Sequence, residues 1–308
     1  MWFAVVVSLS LGAFEPDALL PGKPYALRGH ADGVSALAFS PDGKQLASGA
    51  RDQVIKLWSL ESGELLKSIP GGEEQINALA FSPDGKTLVS GEAALRVRVI
   101  DVASGQVTRT IAHPGAVSEL AWSPDGKSLA VTSVQGGGAI YDLSTAKRTR
   151  EFSGRGVRWT HDGKTLVVAS LNDVTWLDAK TGKPKKSVVV DNEPARVASS
   201  ADGSLVAAWV SAGSDLKLFN EKGTLVKTLS PGLPADGPRL RTLHATLTND
   251  GKQVLALYSD GLLRVWSVAD ARVTSSFPAE KLIGATVSAD GKWVALFGTP
   301  SVLLWKLP

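Results

Sequence analysis

The sequence predicts an all-β chain built from seven copies of a unit of about forty residues, each with four short strands. The stretch Ser40-Pro41-Asp42-Gly43-Lys44 returns in recognisable form six more times, at 82–86, 123–127, 160–164, 200–204, 248–252 and 288–292. The aspartates of these stretches are 37 to 48 residues apart. A regular period of this length is typical of repeat architectures, in which each copy is one small supersecondary unit.

The first copy shows the four strands most clearly. Its apolar runs are 34–39, 45–50, 54–58 and 65–69, and they are rich in Val, Ile, Leu and aromatic residues. Turn-forming residues separate the runs, at Asp42-Gly43, at 51–53 and at 61–63. Short runs of this composition, bounded by Gly, Asp and Ser, predict antiparallel strands joined by tight turns.

The later copies keep the same columns of residues. Their second strands are almost continuously apolar, at 87–90, 128–131, 165–168, 204–207, 253–256 and 293–296. Strands that are buried on both faces have this pattern. We therefore expect each four-stranded sheet to be packed between two neighbouring sheets.

In layout and motif the chain resembles the WD-repeat family. The Gly29-His30 pair, the Asp42-Gly43 turn and Trp58 carry the resemblance, which extends over residues 24–308. It implies a seven-bladed β-propeller whose blades are four-stranded antiparallel sheets. The Trp-Asp dipeptide of the family is degenerate here, for example as Trp58-Ser59.

The ends of the repeat register suggest how such a ring closes. The seventh copy contains three predicted strands, whereas the segment Pro24–Arg28 precedes the first Gly-His pair and has the pattern of an outer strand. An unpaired sheet edge leaves backbone groups bare. We therefore predict that this N-terminal outer strand pairs with the last blade and closes the propeller.

Residues 1–23 form a segment separate from the predicted propeller of residues 24–308. Its apolar run Trp2–Phe14 is shorter than the roughly 20 apolar residues that span a bilayer, so we expect no stable membrane span. We interpret it as a candidate signal peptide, which favours an exported or periplasmic location over the cytoplasm. A signal peptide requires a positively charged segment before its apolar run, but no Lys or Arg precedes this run. A capping strand and a mis-set start are the alternatives.

Composition restricts the chemistry. There is no cysteine, which excludes disulfides, thiolate metal sites and thiol nucleophiles. The formal net charge of +3 over 308 residues gives no reason to expect a nucleic acid partner. Basic residues on the predicted outer strands, such as Lys147, Arg150 and Lys227, fit either a guard against edge pairing or a polyanion site.

His30, Ser48 and Asp52 form the pattern most like an enzyme site. A nucleophile, a base and an orienting carboxylate are what acyl transfer requires, if they lie in hydrogen-bond contact. The WD-repeat resemblance implies instead a structural network inside the first blade, formed by His30, Ser48, Asp52 and Trp58. We expect this structural role, because a buried network satisfies polar groups that are costly to leave unpaired.

No other pattern indicates catalysis, a cofactor or a metal. The four histidines are far apart in sequence, and no carboxylate spacing matches a calcium loop. The glycine-rich stretch 136–138 lacks the Lys-Ser/Thr of a phosphate-binding loop, and no Gly-x-Ser-x-Gly nucleophile elbow is present. We therefore predict no catalytic, cofactor-binding or metal-binding residues.

Two groups of residues are candidates for partner binding. The long loop 230–238 is expected on the top face of the propeller and offers Pro231, Leu233 and Asp236. Four arginines in or just before first strands would line the mouth of the central channel, namely Arg158, Arg196, Arg239 and Arg241. The alternative for these arginines is pairing with local acids between blades.

The resemblance implies a non-catalytic protein-interaction scaffold, monomeric when alone, that binds protein partners on its top face. Fold by itself does not decide function, so two alternatives stay open. One is a propeller-type enzyme, a hydrolase or lactonase with its site at the channel mouth. The other is a sensory or docking component of a larger assembly.

Overall fold

A computed structural model describes residues 24–190, 195–200, 203–210, 213–231 and 240–306. These residues form 28 strands, grouped into seven four-stranded sheets. The described ranges contain no helix, and therefore none that is long and apolar enough to cross a membrane. The predicted segment 1–23 lies outside the described residues.

The first three blades follow the chain without a break. Blade 1 contains β2 (Val34–Phe39), β3 (Gln45–Ala50), β4 (Val54–Ser59) and β5 (Leu65–Pro70). Blade 2 contains β6 (Ile76–Phe81), β7 (Thr87–Glu92), β8 (Arg96–Asp101) and β9 (Val107–Ala112). Blade 3 contains β10 (Val117–Trp122), β11 (Ser128–Ser133), β12 (Gly137–Asp142) and β13 (Lys147–Ser153).

The remaining blades repeat this order, except that the last takes one strand from the N-terminus. Blade 4 contains β14 (Gly156–Trp159), β15 (Thr165–Ala169), β16 (Asp173–Asp178) and β17 (Pro184–Val189). Blade 5 contains β18 (Ala195–Ser199), β19 (Leu205–Val210), β20 (Leu216–Asn220) and β21 (Leu225–Leu229). Blade 6 contains β22 (Thr242–Leu247), β23 (Gln253–Tyr258), β24 (Leu262–Ser267) and β25 (Arg272–Pro278). Blade 7 contains β26 (Gly284–Val287), β27 (Trp293–Phe297), β28 (Val302–Lys306) and β1 (Tyr25–Leu27).

All neighbouring strands within a blade are antiparallel, so the blade is a simple meander from the channel outwards. The predicted fold, a seven-bladed propeller of four-stranded antiparallel blades, is confirmed. Turns between first and second strands and between third and fourth strands lie on one face, which we name the bottom face. Turns between second and third strands lie on the opposite top face, with the connections from blade to blade.

The N-terminal strand closes the ring, as the sequence predicts. In β1, Tyr25 is opposite Leu304 and Leu27 is opposite Val302 of β28. The Leu27 side chain is 2% exposed and belongs to an apolar cluster shared with Trp58 of blade 1. β1 therefore pairs with the last blade and also packs against the first.

The repeated Ser-Pro-Asp-Gly-Lys stretch forms the turn between first and second strands. In blade 1 the Ser40 hydroxyl donates to Asp42 Oδ1 at 2.6 Å and accepts the Gln45 N–H at 2.9 Å. Gly43 has φ of 68°, which glycine adopts at little cost. The side chains of Ser and Asp thus satisfy the backbone of the turn while glycine supplies its left-handed residue.

The turns of successive blades touch one another around the bottom of the channel. A Cβ placed on Gly85 would lie 3.3 Å from Pro41, and one on Gly126 would lie 3.7 Å from Pro83. These turns therefore contact the turn of the preceding blade. This contact places the most regular part of the repeat on the bottom face.

Apolar side chains from adjacent blades interlock to form the core. One cluster joins Ile55 and Leu57 of blade 1 to Ile76 and Leu88 of blade 2. Blade packing is so close at Gly49 that a Cβ there would lie 2.5 Å from the Ile76 side chain. Glycine is required at this position because the next blade occupies the space of a side chain.

Basic residues of the outer strands join four of the blades to the blade that follows. They occupy the middle of the outer strand and donate to carbonyls of the following third-to-fourth-strand turn. The bonds run from Lys67 to Ala103 at 2.5 Å, from Arg109 to Leu143 at 2.6 Å, from Arg150 to Lys180 at 2.8 Å and from Lys227 to Ala269 at 2.5 Å. These side chains act as bridges between blades, a third role beside the guard and the polyanion site.

Candidate functional site

His30, Ser48, Asp52 and Trp58 come together inside blade 1. His30 Nδ1 lies 2.9 Å from Asp52 Oδ2, and His30 Nε2 lies 2.8 Å from Ser48 Oγ. The Trp58 indole N–H donates to the same Ser48 oxygen at 2.8 Å. Asp52 also accepts the backbone N–H of Ala31 at 2.8 Å. The four side chains form one continuous chain of hydrogen bonds from strand β4 to the top-face turn.

The direction of these bonds follows from their donors. Because Ser48 Oγ accepts the Trp58 N–H, its own hydrogen is free to be donated to His30 Nε2. His30 then carries its proton on Nδ1 and donates it to Asp52. Burial lowers the pKa of His30 despite the neighbouring carboxylate, which agrees with this neutral form. Ser48 is 0% exposed, so its hydroxyl is closed to substrate.

Other blades carry reduced versions of this network. In blade 3 the sequence places Val131 at the Ser48 position, but His113 Nδ1 bonds the Tyr141 hydroxyl at 3.0 Å. Sequence reasoning missed Tyr141 as a partner, although it occupies the column of Trp58. In blade 6 Asp260 pairs with Arg264, at 2.6 Å. Blades 1, 3 and 6 therefore carry different polar pairs at related positions, and only blade 1 has the full set of four side chains among the described residues.

A buried carboxylate stands at the top of blade 2. Glu92 is 0% exposed and pairs with the Nε atoms of Arg96 and Arg98, both at 2.9 Å. Arg96 also reaches the exposed Glu73 at 3.1 Å. The two arginines compensate the buried negative charge within the blade, and burial leaves Glu92 closed to ligands.

The innermost strands line a central cavity of about 350 Å³ that is open to solvent. Small side chains line it on blades 1 and 2, including Ser35, Ala36 and Ala78. Long polar or charged side chains line it on blades 3 to 6, namely Glu119, Arg158, Arg196 and His244. The channel is therefore asymmetric, with open space on one side and ionisable groups on the other.

Arg158 pairs with an acid of the neighbouring blade. Its Nη1 donates to Glu119 Oε2 at 2.7 Å, and the Val157 N–H donates to the same oxygen at 3.1 Å. Glu119 lies on β10 and Arg158 on β14, so the pair joins blades 3 and 4. The alternative stated for the channel arginines, pairing between blades, describes Arg158.

Arg196 and His244 lie on adjacent blades at the same level of the channel. Arg196 is exposed to the cavity, and within the described ranges it has no carboxylate within ion-pair distance. His244 Nδ1 accepts the Ala285 N–H at 3.4 Å, and its ring packs between Trp209 and Phe297. Burial, and then the positive charges of Arg196 and Arg158, lower the pKa of His244 to about 3.

The other arginines and the long loop have different positions. Arg241 precedes β22 on the top face, where its side chain is exposed, and it does not line the cavity. Its place at the channel mouth stays a prediction. Pro231 is partly buried at the end of the blade 5 to blade 6 connection. Leu233, Asp236 and Arg239 lie outside the described residues.

Three consecutive blades expose a large aliphatic side chain at the top face. Leu95, Val134 and Leu171 all belong to turns between second and third strands, in blades 2, 3 and 4. Their side chains are 48%, 53% and 61% exposed. Sequence reasoning did not single them out, because an isolated aliphatic residue in a turn carries no signal until the ring places several side by side.

The part of the chain that the structure describes contains no candidate metal site. There, no group of three His, Asp or Glu side chains is arranged to hold an ion. In the channel, Glu119 is already bonded to Arg158, so Glu119 and His244 do not form a free ligand set.

A family model described as "WD domain, G-beta repeat" matches residues 23–59, 63–101 and 105–142. The matched segments contain β1 to β4, β5 to β8 and β9 to β12. The chain is a WD-repeat protein. In this WD-repeat protein the sequence repeat is offset from the blade by one strand, since each repeat begins with the outer strand of the preceding blade. The offset explains why β1 completes blade 7.

Three nuclear distribution proteins are similar to part of this WD-repeat chain. Nuclear distribution protein PAC1 of Arthroderma otae is 37% identical over 70 residues, and that of Ajellomyces capsulatus is 41% identical over 59 residues. Nuclear distribution protein nudF 1 of Talaromyces marneffei is 39% identical over 70 residues. These matches cover 18 to 22% of this chain and only 13 to 15% of the relatives' own length.

Proposed function

We propose that this WD-repeat protein is a non-catalytic protein-interaction module that binds a partner protein on its top face. The observation that carries the proposal is the row of exposed aliphatic side chains at Leu95, Val134 and Leu171. They stand on tight turns of three adjacent blades, so little conformational entropy is lost when a partner covers them. A partner would present apolar side chains to this row.

The same face also supplies a charged side chain, next to the innermost strand of blade 6. Arg241 is exposed on blade 6, and arginine is enriched among residues that anchor interfaces. The resemblance to proteins named nuclear distribution proteins agrees with an interaction role, but it covers too little of them to indicate a process. We propose residues 24–308 as one interaction domain and residues 1–23 as a separate segment.

The chemistry of the interior supports a non-catalytic role. The Ser48 hydroxyl is buried and bonded to both His30 and Trp58. In the channel, Glu119 is occupied by Arg158 and by a backbone N–H. A hydrolase or lactonase would need an acid or base free to reach substrate. A broad hydrolase screen of the purified protein tests this alternative, and we expect no turnover.

Affinity capture from the native source, followed by mass spectrometry, tests the docking face. The top-face variant replaces Leu95, Val134 and Leu171 with serine, and we expect it to lose partners that the wild type retains. The matched control replaces Leu65 and Leu66 with serine, which are 44% and 49% exposed on the outer strand of blade 1. A variant lacking residues 231–237 tests whether the long loop contributes to partner binding. Equal loss in the control and the top-face variant would argue against the proposal.

A further inference from the structure

The strand register places three polar side chains at one level of the channel. Glu119, Arg196 and His244 occupy the same position of their first strands as Ala36 and Ala78, each opposite the equivalent residue of the second strand. The alanines of blades 1 and 2 leave space at this level. The polar side chains of blades 3, 5 and 6 border that space from the other side.

Among the described residues that line the cavity, two arginines, Arg158 and Arg196, stand against one carboxylate, Glu119. Glu119 accepts from Arg158 at 2.7 Å, so these two charges offset one another. Arg196 is left without an acidic partner in the described part of the chain, and it is exposed towards the cavity. An arginine held on a rigid strand in a restricted cavity attracts an anion more strongly than one in bulk water.

The pKa of His244 reflects the arginines near its ring. The positive charges of Arg196 and Arg158 both contribute to lowering its pKa, after burial. Contacts with Trp209 and Phe297 hold the ring, and the Ala285 N–H bonds Nδ1. The accepting Nδ1 requires the neutral ring to carry its hydrogen on Nε2, where it is a hydrogen-bond donor.

We propose that the central channel binds a small anion of the carboxylate or phosphate type, with Arg196 as its principal contact and His244 as a second donor. The guanidinium offers two parallel N–H donors that match the oxygens of either group. A cavity of about 350 Å³ falls in the range of small-molecule sites. This site is distinct from the top-face turns, so it goes beyond protein docking.

Isothermal titration calorimetry with the full chain tests the site. The probes are succinate and inorganic phosphate, with neutral succinamide as the uncharged control. We expect one anion to bind and succinamide not to bind. Arg196→Gln should weaken the binding by about tenfold or more, because it removes charge-assisted hydrogen bonds. Arg272→Gln, an exposed arginine on the outer strand of blade 6, should leave it unchanged.

Glu119→Gln provides a change in the opposite direction. It removes the acid that neutralises Arg158, so anion binding should become tighter by several-fold. Binding of neither probe, or equal binding by wild type and Arg196→Gln, would overturn the proposal. Preference for succinate or for phosphate then identifies the class of ligand.

Histidine NMR provides a readout that does not depend on the stability of a variant. The chain has four histidines, and His161 lies exposed on a bottom-face turn, away from the channel. Adding the bound anion to the wild-type protein should shift the His244 ring signals and leave those of His161 in place. Shifts confined to His161 would contradict a channel site.

Discussion

Arg109 of blade 2 donates to the carbonyl oxygen of Leu143 in blade 3, at 2.6 Å. The same guanidinium nitrogen bonds the Ser144 carbonyl at 2.9 Å. The register places Lys67 and Lys227 at the corresponding position of their strands, and each reaches the next blade in the same way. The outer rim of the propeller is therefore held by cations that bind backbone carbonyls.

Replacing Arg109 with alanine should lower the free energy of unfolding by about 1 kcal/mol, because two carbonyls lose a charged donor at a partly exposed site. Chemical denaturation monitored by tryptophan fluorescence measures the change. Arg272→Ala is the control, since Arg272 is an exposed arginine on the outer strand of blade 6. Equal effects of the two substitutions on the free energy of unfolding would contradict the role of Arg109 as a bridge between blades 2 and 3.

Leu27 should be the most sensitive residue of the closing strand. Leu27→Ala leaves a cavity between blades 7 and 1, so we expect a loss of about 2 to 4 kcal/mol in the free energy of unfolding. The control is Leu225→Ala on the outer strand of blade 5, where the side chain is 52% exposed. Deletion of residues up to 28 should lower the melting temperature further. An unchanged melting temperature would mean that β1 does not close the ring.

Ser48 and Ser90 give a matched test of the buried network. They occupy the same strand position in blades 1 and 2, and both are 0% exposed, but the Ser90 hydroxyl has no hydrogen-bond partner among the described residues. Ser48→Ala should cost about 1 to 3 kcal/mol, because His30 and Trp58 each lose a partner. Ser90→Ala should change stability by less than about 0.5 kcal/mol. Labelling of Ser48 by an active-serine probe would refute the structural role.

Stability should fall as the pH drops below about 6.5. Burial lowers the pKa of His30, His113 and His244 in the folded protein, whereas the unfolded chain protonates its histidines near their ordinary value of 6.5. The unfolded state therefore binds more protons as the pH falls, and the free energy of unfolding decreases. The stabilisation is complete above the unfolded pKa and is lost as the pH approaches the folded values.

Melting temperatures measured between about pH 7.5 and pH 5 at constant ionic strength follow this loss. We expect a decline of several degrees, and a shallower decline in a His113→Phe variant. His161→Gln serves as the control because its side chain is exposed. A melting temperature that stays constant over this range would contradict the neutral, buried state of these rings.

The sequence was sufficient to predict the features that every copy repeats. Ser40, Asp42 and Gly43 form a local turn within five residues, so their periodic recurrence reveals the number of blades. The position of Trp58 in the third strand and the outer-strand pattern of Pro24–Arg28 are also local patterns that have counterparts in other copies. These signals are local, and they are independent of how neighbouring blades meet.

The contents of the channel could be predicted only in part. Glu119 and Arg158 are 39 residues apart and lie on different blades. The first strands of blades 3 and 6 each contain an irregularity, between Val117 and Glu119 in β10 and between Thr242 and His244 in β22. It shifts the pairing register with the second strand. Which side chain reaches the cavity therefore depends on a local irregularity that the alternation of residues does not indicate.

Site-specific photo-crosslinking tests the proposed docking face most directly. A photoreactive amino acid at Leu171 stands on the top face, and one at Leu66 stands on an outer strand with a similar degree of exposure, 61% against 49%. We predict protein adducts from position 171 in the native source and none from position 66. Adducts from position 66 alone, or from neither position, would contradict binding through the top face.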